Sequence, residues 1–155
     1  MEVDSIGIAS DHAGFFLKEK IKKLLAGKVE IKDYGCTNSE SVDYPNFCQT
    51  LALDISKRKT QAGIAVCGTG FGMSIVANKF SGVRAYCPWD EYTCKMGRLH
   101  NDANVLCLGA RTLNHDRALD LVNLWLSTSF DQSNEKHLRR LDKITQIEKQ
   151  TLKSH

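Results

Sequence analysis

The sequence is short of the features that mark many specialised proteins. It holds two prolines in 155 residues and no Pro-, Gly- or Ser-rich stretch that reads as a linker, so one domain over 1–155 is expected. No apolar run approaches the ~20 residues that a membrane helix needs. The start, Met1-Glu2-Val3-Asp4, is acidic where a signal peptide would be basic, and a cytoplasmic protein with no membrane partner is expected. Charge of one sign is scarce: 21 Lys and Arg face 18 Asp and Glu, leaving +3, and the basic residues cluster only at Lys57-Arg58-Lys59 and Arg139-Arg140. That balance does not argue for nucleic acid. Six cysteines (36, 48, 67, 87, 94 and 107) include no C-x-x-C pair and fit no zinc spacing, so free thiols and no metal are expected. Neither phosphate fingerprint, G-x-G-x-x-G nor G-x-x-x-x-G-K-[ST], is present, which disfavours a nucleotide-binding module.

What is there is an ordinary globular balance, 42% hydrophobic and 25% charged. Short apolar runs alternate with amphipathic stretches, the pattern of an α/β protein with a parallel sheet and helices on both faces. Strands are expected at Ile6–Ala9, Val29–Ile31, Gly63–Cys67, Val83–Tyr86 and Val105–Leu108. Helices are expected at about Phe15–Ala26, Pro45–Arg58, Met73–Lys79, Asp90–Leu99 and His115–Leu126. The tail from Glu135 spaces Leu138, Leu141, Ile144 and Ile147 three apart, an apolar stripe on a helix docked against something.

Ligands of open α/β sheets bind outside the carboxyl ends of the strands, and three ends here carry unusual residues. The first runs into Asp11-His12, the third into Cys67-Gly68-Thr69-Gly70-Phe71-Gly72, and the fifth is preceded by His100-Asn101 and followed by Gly109-Ala110-Arg111. Convergence of these ends would assemble a carboxylate, imidazoles, a thiol and a guanidinium. The glycine loop exposes consecutive N–H groups that could hold a phosphate or a developing enediolate oxygen. A thiol at its mouth suits proton transfer between adjacent carbons. Each residue also has a plainer reading. Asp11 can cap a helix, and His100-Asn101 can end one. Cys67 can be a small buried hydrophobe. Arg111, Lys136, His137, Arg139 and Arg140 can be solvated charge.

The set is more specific than its members. Asp11-His12-Ala13-Gly14, Asp43-Tyr44-Pro45, Cys67-Gly68-Thr69-Gly70 with Gly72, Ala77-Asn78-Lys79, His100-Asn101 and Gly109-Ala110-Arg111 follow one another in an order that resembles type B ribose-5-phosphate isomerases of the ribose/galactose isomerase family. The resemblance runs from about residue 5 to 148. It implies a Rossmann-like three-layer α/β/α sandwich with a five-stranded parallel sheet. It also implies a homodimer, or a dimer of dimers, with active sites shared between subunits and the C-terminal helix (about 135–150) packed on the partner. The implied reaction interconverts ribose 5-phosphate and ribulose 5-phosphate through an enediol, in the pentose phosphate pathway, without metal or cofactor.

The same resemblance implies roles. Cys67 matches the base between C1 and C2, and Thr69 the hydroxyl assisting the oxygen-bound proton. The backbone of Gly68, Gly70, Phe71 and Gly72 would hold the enediolate. His100 with Asp11 matches the ring-opening pair. Tyr44 and Asn101 would meet sugar oxygens, and His12, Arg111 and Arg140 the phosphate. Lys136 stands where the family often has arginine, which keeps the charge and loses the bidentate fork. Some members carry a glutamate base within the glycine loop; here that stretch is Phe71-Gly72-Met73-Ser74, so the chemistry depends on Cys67. Two other readings share these motifs: an isomerase of allose or galactose 6-phosphate, and a non-catalytic sugar-phosphate-binding subunit. Retention of Cys67, Asp11 and His100 argues against the second.

Overall fold

The computed structural model describes residues 4–152; Met1–Val3 of the acidic start lie outside the described residues. Five strands, β1 (Ser5–Ser10), β2 (Glu30–Asp33), β3 (Ala62–Cys67), β4 (Ala85–Tyr86) and β5 (Val105–Gly109), pair in parallel in the order β2-β1-β3-β5-β4. The helices are α1 (Phe15–Leu25), α2 (Tyr44–Ser56), α3 (Phe71–Ala77), α4 (Glu91–Asn101), α5 (His115–Ser127) and α6 (Glu135–Leu152). β1, β3 and β5 are buried almost without interruption, because helices cover both faces of the sheet. On one face Ile6, Ile8, Ile64, Val66, Leu106 and Leu108 meet α1, α4 and α5, with Trp125 fully buried among them. On the other face Ala9, Ala65, Cys67, Val105 and Cys107 meet α2 and α3.

The expected elements are all present, with shifted ends that have local causes. β2 forms at Glu30–Asp33 rather than at Val29–Ile31, because its ladder on β1 pairs Ile6 with Ile31 and Ile8 with Asp33. The buried ammonium of Lys18, on α1, holds that end through the Asp33 carboxylate at 2.7 Å. α3 starts at Phe71 and stops at Ala77, since the Asn78 side chain turns to bond the backbone of Ala85 in both directions at 2.8 Å. β4 is only Ala85–Tyr86: the N–H of Arg84 goes to the Asn104 side chain instead of a ladder. Asp90 caps α4 in a reciprocal box with Thr93. The capping reading of Asp11 is displaced: the N-cap of α1 is Gly14, and Asp11 Oδ1 accepts from the Gly14 N–H at 2.9 Å one turn upstream.

Candidate active site

β3 ends on Cys67, which is 5% exposed, and the chain then has to turn out of the sheet. Gly70 makes that turn with φ +81°, and a Cβ there would lie 2.5 Å from Cys87 Sγ and 3.0 Å from the Leu108 carbonyl carbon, so only glycine fits. The turn brings the Gly70 N–H back to within 3.1 Å of Cys67 Sγ, to which it donates. The loop is fastened to the end of β5: the Ala110 N–H donates to Cys67 O at 2.8 Å and the Arg111 N–H to Gly68 O at 2.9 Å. The Arg111 side chain lies along Gly68, with Cδ 3.4 Å from where a Cβ would be. Tyr44, the first residue of α2, stands over Gly72, whose absent Cβ would meet the ring at 2.7 Å. Thr69 and Phe71 face solvent.

β1 delivers its two residues to the same edge. The Asp11 N–H donates to Val66 O at 3.1 Å, next to Cys67, and the Asp11 side chain is buried. Gly14 lets the chain pass close behind it, a Cβ there falling 2.5 Å from Val66 O. His12 holds the 36–43 loop, its Nδ1 lying 3.2 Å from both the N–H and the carbonyl oxygen of Val42. That contact occupies Nδ1 and leaves Nε2 for another partner.

The neighbouring thiols are poor competitors for a negative charge. Burial, reinforced by the nearby Cys67, pushes the Cys48 thiol up to about 12 and the Cys87 thiol up to about 11. Complete burial drives Cys107 well above its ordinary value. Among the described residues no group of three or more His, Cys, Asp or Glu is arranged to hold a metal ion.

The expected convergence fails for one group. Asp11, His12, Tyr44, the 67–72 loop and Arg111 share the carboxyl edge, but His100, Asn101, Lys136 and Arg140 lie at the amino edge of the same sheet. The reason is topological. α4 runs back from the carboxyl edge before β5 begins, so its last turn sits where the strands start, and Asn104 O accepts from the Gly63 N–H there at 2.9 Å. Gly63 to Cys67 is about 13 Å of strand at ~3.3 Å per residue. No hydrogen bond or ion pair joins Asp11 to His100 among the described residues; the His100 ring instead packs on His137, centroids 4.3 Å apart.

That last turn is held firmly. Buried Arg98 reaches Thr128 O, Ala103 O at 2.6 Å and the Asp102 carboxylate at 3.1 Å. Arg84 grips Asn101 O at 3.0 Å and Asp102 O at 2.7 Å. Sequence reading passed over both arginines, although Arg98 and Asp102 have the i, i+4 spacing of a helix ion pair. The sequence offered His137 as solvated charge and Cys87 as one of six free thiols with no role. His137 is 7% exposed, and Cys87 is half-buried with its Sγ 3.5 Å from Thr69 O, against the glycine loop.

Two clefts, of about 640 and 480 Å³, lie between the second half of α6 and the amino edge, sharing Ile144 and Glu148 in their walls, and neither includes Cys67.

The model of the Ribose/Galactose Isomerase family matches residues 6–144. The chain belongs to the ribose/galactose isomerase family. Among curated relatives in this family, ribose-5-phosphate isomerase B of Escherichia coli is 39% identical over 144 residues, covering 92% of this chain and 95% of that protein. The solved structure of Clostridium thermocellum ribose-5-phosphate isomerase B superposes with a TM-score of 0.91 at 43% identity, over 95% of this chain and 99% of that one. Ribose-5-phosphate isomerase B from Mycoplasma genitalium, solved with bound ribulose 5-phosphate, gives 0.88 at 37% identity over 94% and 96%. The three-layer architecture expected from the resemblance is therefore the family's own.

Proposed function

We propose that this member of the family interconverts ribose 5-phosphate and ribulose 5-phosphate by proton transfer through an enediol, as befits a step of pentose phosphate metabolism. The observation that carries the reading is the Cys67 sulfur at the carboxyl end of β3, 3.1 Å from a loop N–H and on the sheet edge to which the Asp11 and Arg111 backbones are also bonded. With the substrate open as the aldehyde, the Cys67 thiolate removes the proton from C2. The electron pair moves to O1, where the loop N–H groups meet the growing charge. O1 is protonated and the O2 proton removed, with Thr69 as the hydroxyl between them. The electrons return to C1 as it takes the proton from sulfur. Burial pushes the neighbouring Cys48 and Cys87 thiols up to about 12 and about 11, so neither is suited to act as the base. Tyr44 contacts the sugar, and His12 and Arg111 lie on the phosphate side.

The reading requires a second copy. His100, which with Asp11 opens the furanose, and Asn101, Lys136 and Arg140 lie at the far edge of their own sheet, so they complete the site of another chain in a homodimer or a dimer of dimers. Two exposed apolar stripes support such packing: Phe71 and Ile75 on α3, 63% and 60% exposed, and Ile144 and Ile147 on α6. No helix of the described residues is long and apolar enough to cross a membrane, in keeping with a cytoplasmic small-molecule enzyme.

The test is turnover of ribose 5-phosphate, with allose 6-phosphate and galactose 6-phosphate in parallel. The pentose phosphate is expected to react fastest. Preference for a hexose phosphate would reassign the substrate, and folded protein inert on all three would favour a binding subunit.

A further inference from the structure

His137 has no place in the chemistry above, yet its setting is unusual. It is buried, its Nδ1 has no hydrogen-bond partner among the described residues, and the nearest carboxylate, Asp131, stands 4.0 Å away. A buried polar atom left unpaired is destabilising, so hydrogen bonding does not explain an imidazole here. What the side chain does offer is its ring. The His100 imidazole packs on it at 4.3 Å between centroids, with 39° between the planes. The segment before α6 is tied to the same place, since the Asp131 N–H donates to Leu99 O at 3.0 Å beside His100. The Ser133 hydroxyl first, with the Ser133 N–H and the two histidines adding to it, holds the Asp131 carboxyl below the usual carboxylate range, so an anion faces the ring pair.

We propose that His137 is a positioning residue for the ring-opening step: its ring face, steadied by the Asp131 carboxylate, fixes the plane in which His100 presents its nitrogen to the sugar of the neighbouring site. His100 opens the hemiacetal by taking the proton from the C1 hydroxyl as the bond from C1 to the ring oxygen breaks. C1 becomes the aldehyde, and the ring oxygen gains a proton to become the C4 hydroxyl, so no net proton is gained or lost. The geometry of that nitrogen matters only for a closed ring. Ribulose 5-phosphate cannot close a furanose, because O5 is esterified, and so it enters the reaction as an open chain; the aldehyde formed from it leaves the site and closes its ring in solution.

The inference rests on the isomerase reading, and the experiment separates the two. Full-length His137→Leu and His137→Phe variants fill the same slot, and only Phe keeps a planar face. Initial rates are measured in both directions, with His100→Ala as reference. His137→Leu is expected to lose at least tenfold in kcat from ribose 5-phosphate while staying within about threefold from ribulose 5-phosphate. His137→Phe is expected to stay within about threefold in both directions, with a Tm equal to or above the parent's because the unpaired nitrogen is gone. Equal losses in the two directions, normal forward turnover in His137→Leu, or a forward loss in His137→Phe matching that of His137→Leu would each overturn the proposal. If His100→Ala itself loses both directions alike, the ring-opening reading of His100 has failed instead.

Discussion

At the scale of single residues, the loop after β3 concentrates the consequences. Cys67→Ala removes the thiol that carries the carbon-bound proton in the proposed mechanism. Turnover should fall by about three orders of magnitude or more, with Tm nearly unchanged and ribose 5-phosphate still bound by calorimetry. Near-normal turnover would sink the thiol mechanism. Iodoacetamide at neutral pH should alkylate Cys67 first and be slowed by ribose 5-phosphate, because Cys48 and Cys87 are held protonated far above that pH. Peptide mapping that finds another cysteine labelled first contradicts this. Gly70→Ala combines a positive φ with a collision against Cys87 Sγ and the backbone of Leu108. A cost of about 1–3 kcal/mol in urea unfolding is expected, with loss of activity.

At the scale of elements, an exposed edge strand is held by charge. β2 buries little of its own, and Lys18 and Lys22 hold its end through Asp33. Burial pushes the Asp33 carboxyl up, but hydrogen bonds from Lys18, Lys22 and the Gly35 N–H overcome it and leave it below the ordinary value. A carboxyl lowered by folding contributes stability that is complete above its unfolded value of about 4 and lost as pH falls through the folded value. Asp33→Asn should therefore lower Tm at pH 7 and leave less of a Tm drop between pH 5 and pH 3 than the parent shows. An unchanged acid limb would rule the clamp out. Elements were largely legible in the sequence, because hydrophobic periodicity reports burial: β1, β3 and β5, buried on both faces, read as unbroken apolar runs. The ends were not, because they depend on side chains reaching backbone from elsewhere, as Asn78 does to Ala85 and Asn104 to Arg84. The gathering of Asp11, His12, Tyr44, the 67–72 loop and Arg111 at the carboxyl edge was legible from strand ends and glycines. The burial of His137 and the arginine grip on the His100 turn were not, since both need contacts across 30 residues or more, or between separate elements.

At the scale of the whole molecule, the proposed function puts both halves of the machinery on each chain, at opposite edges of one sheet. This predicts complementation. Cys67→Ala and His100→Ala chains, each inactive on ribose 5-phosphate alone, should form mixed dimers on refolding together in which one of the two sites has both residues intact. About a quarter of the parental activity per chain is expected when pairing is random. No recovery, with mixed dimers demonstrated by mass spectrometry, would place the two residues in one chain's own site. Chelators should leave the parental rate unchanged, and loss on EDTA treatment that zinc restores would contradict that. The same division of labour sets a kinetic order. Once chains are diluted until most stand alone, doubling their concentration should raise the observed rate about fourfold rather than twofold, because the proposed functional unit is a product of two chains.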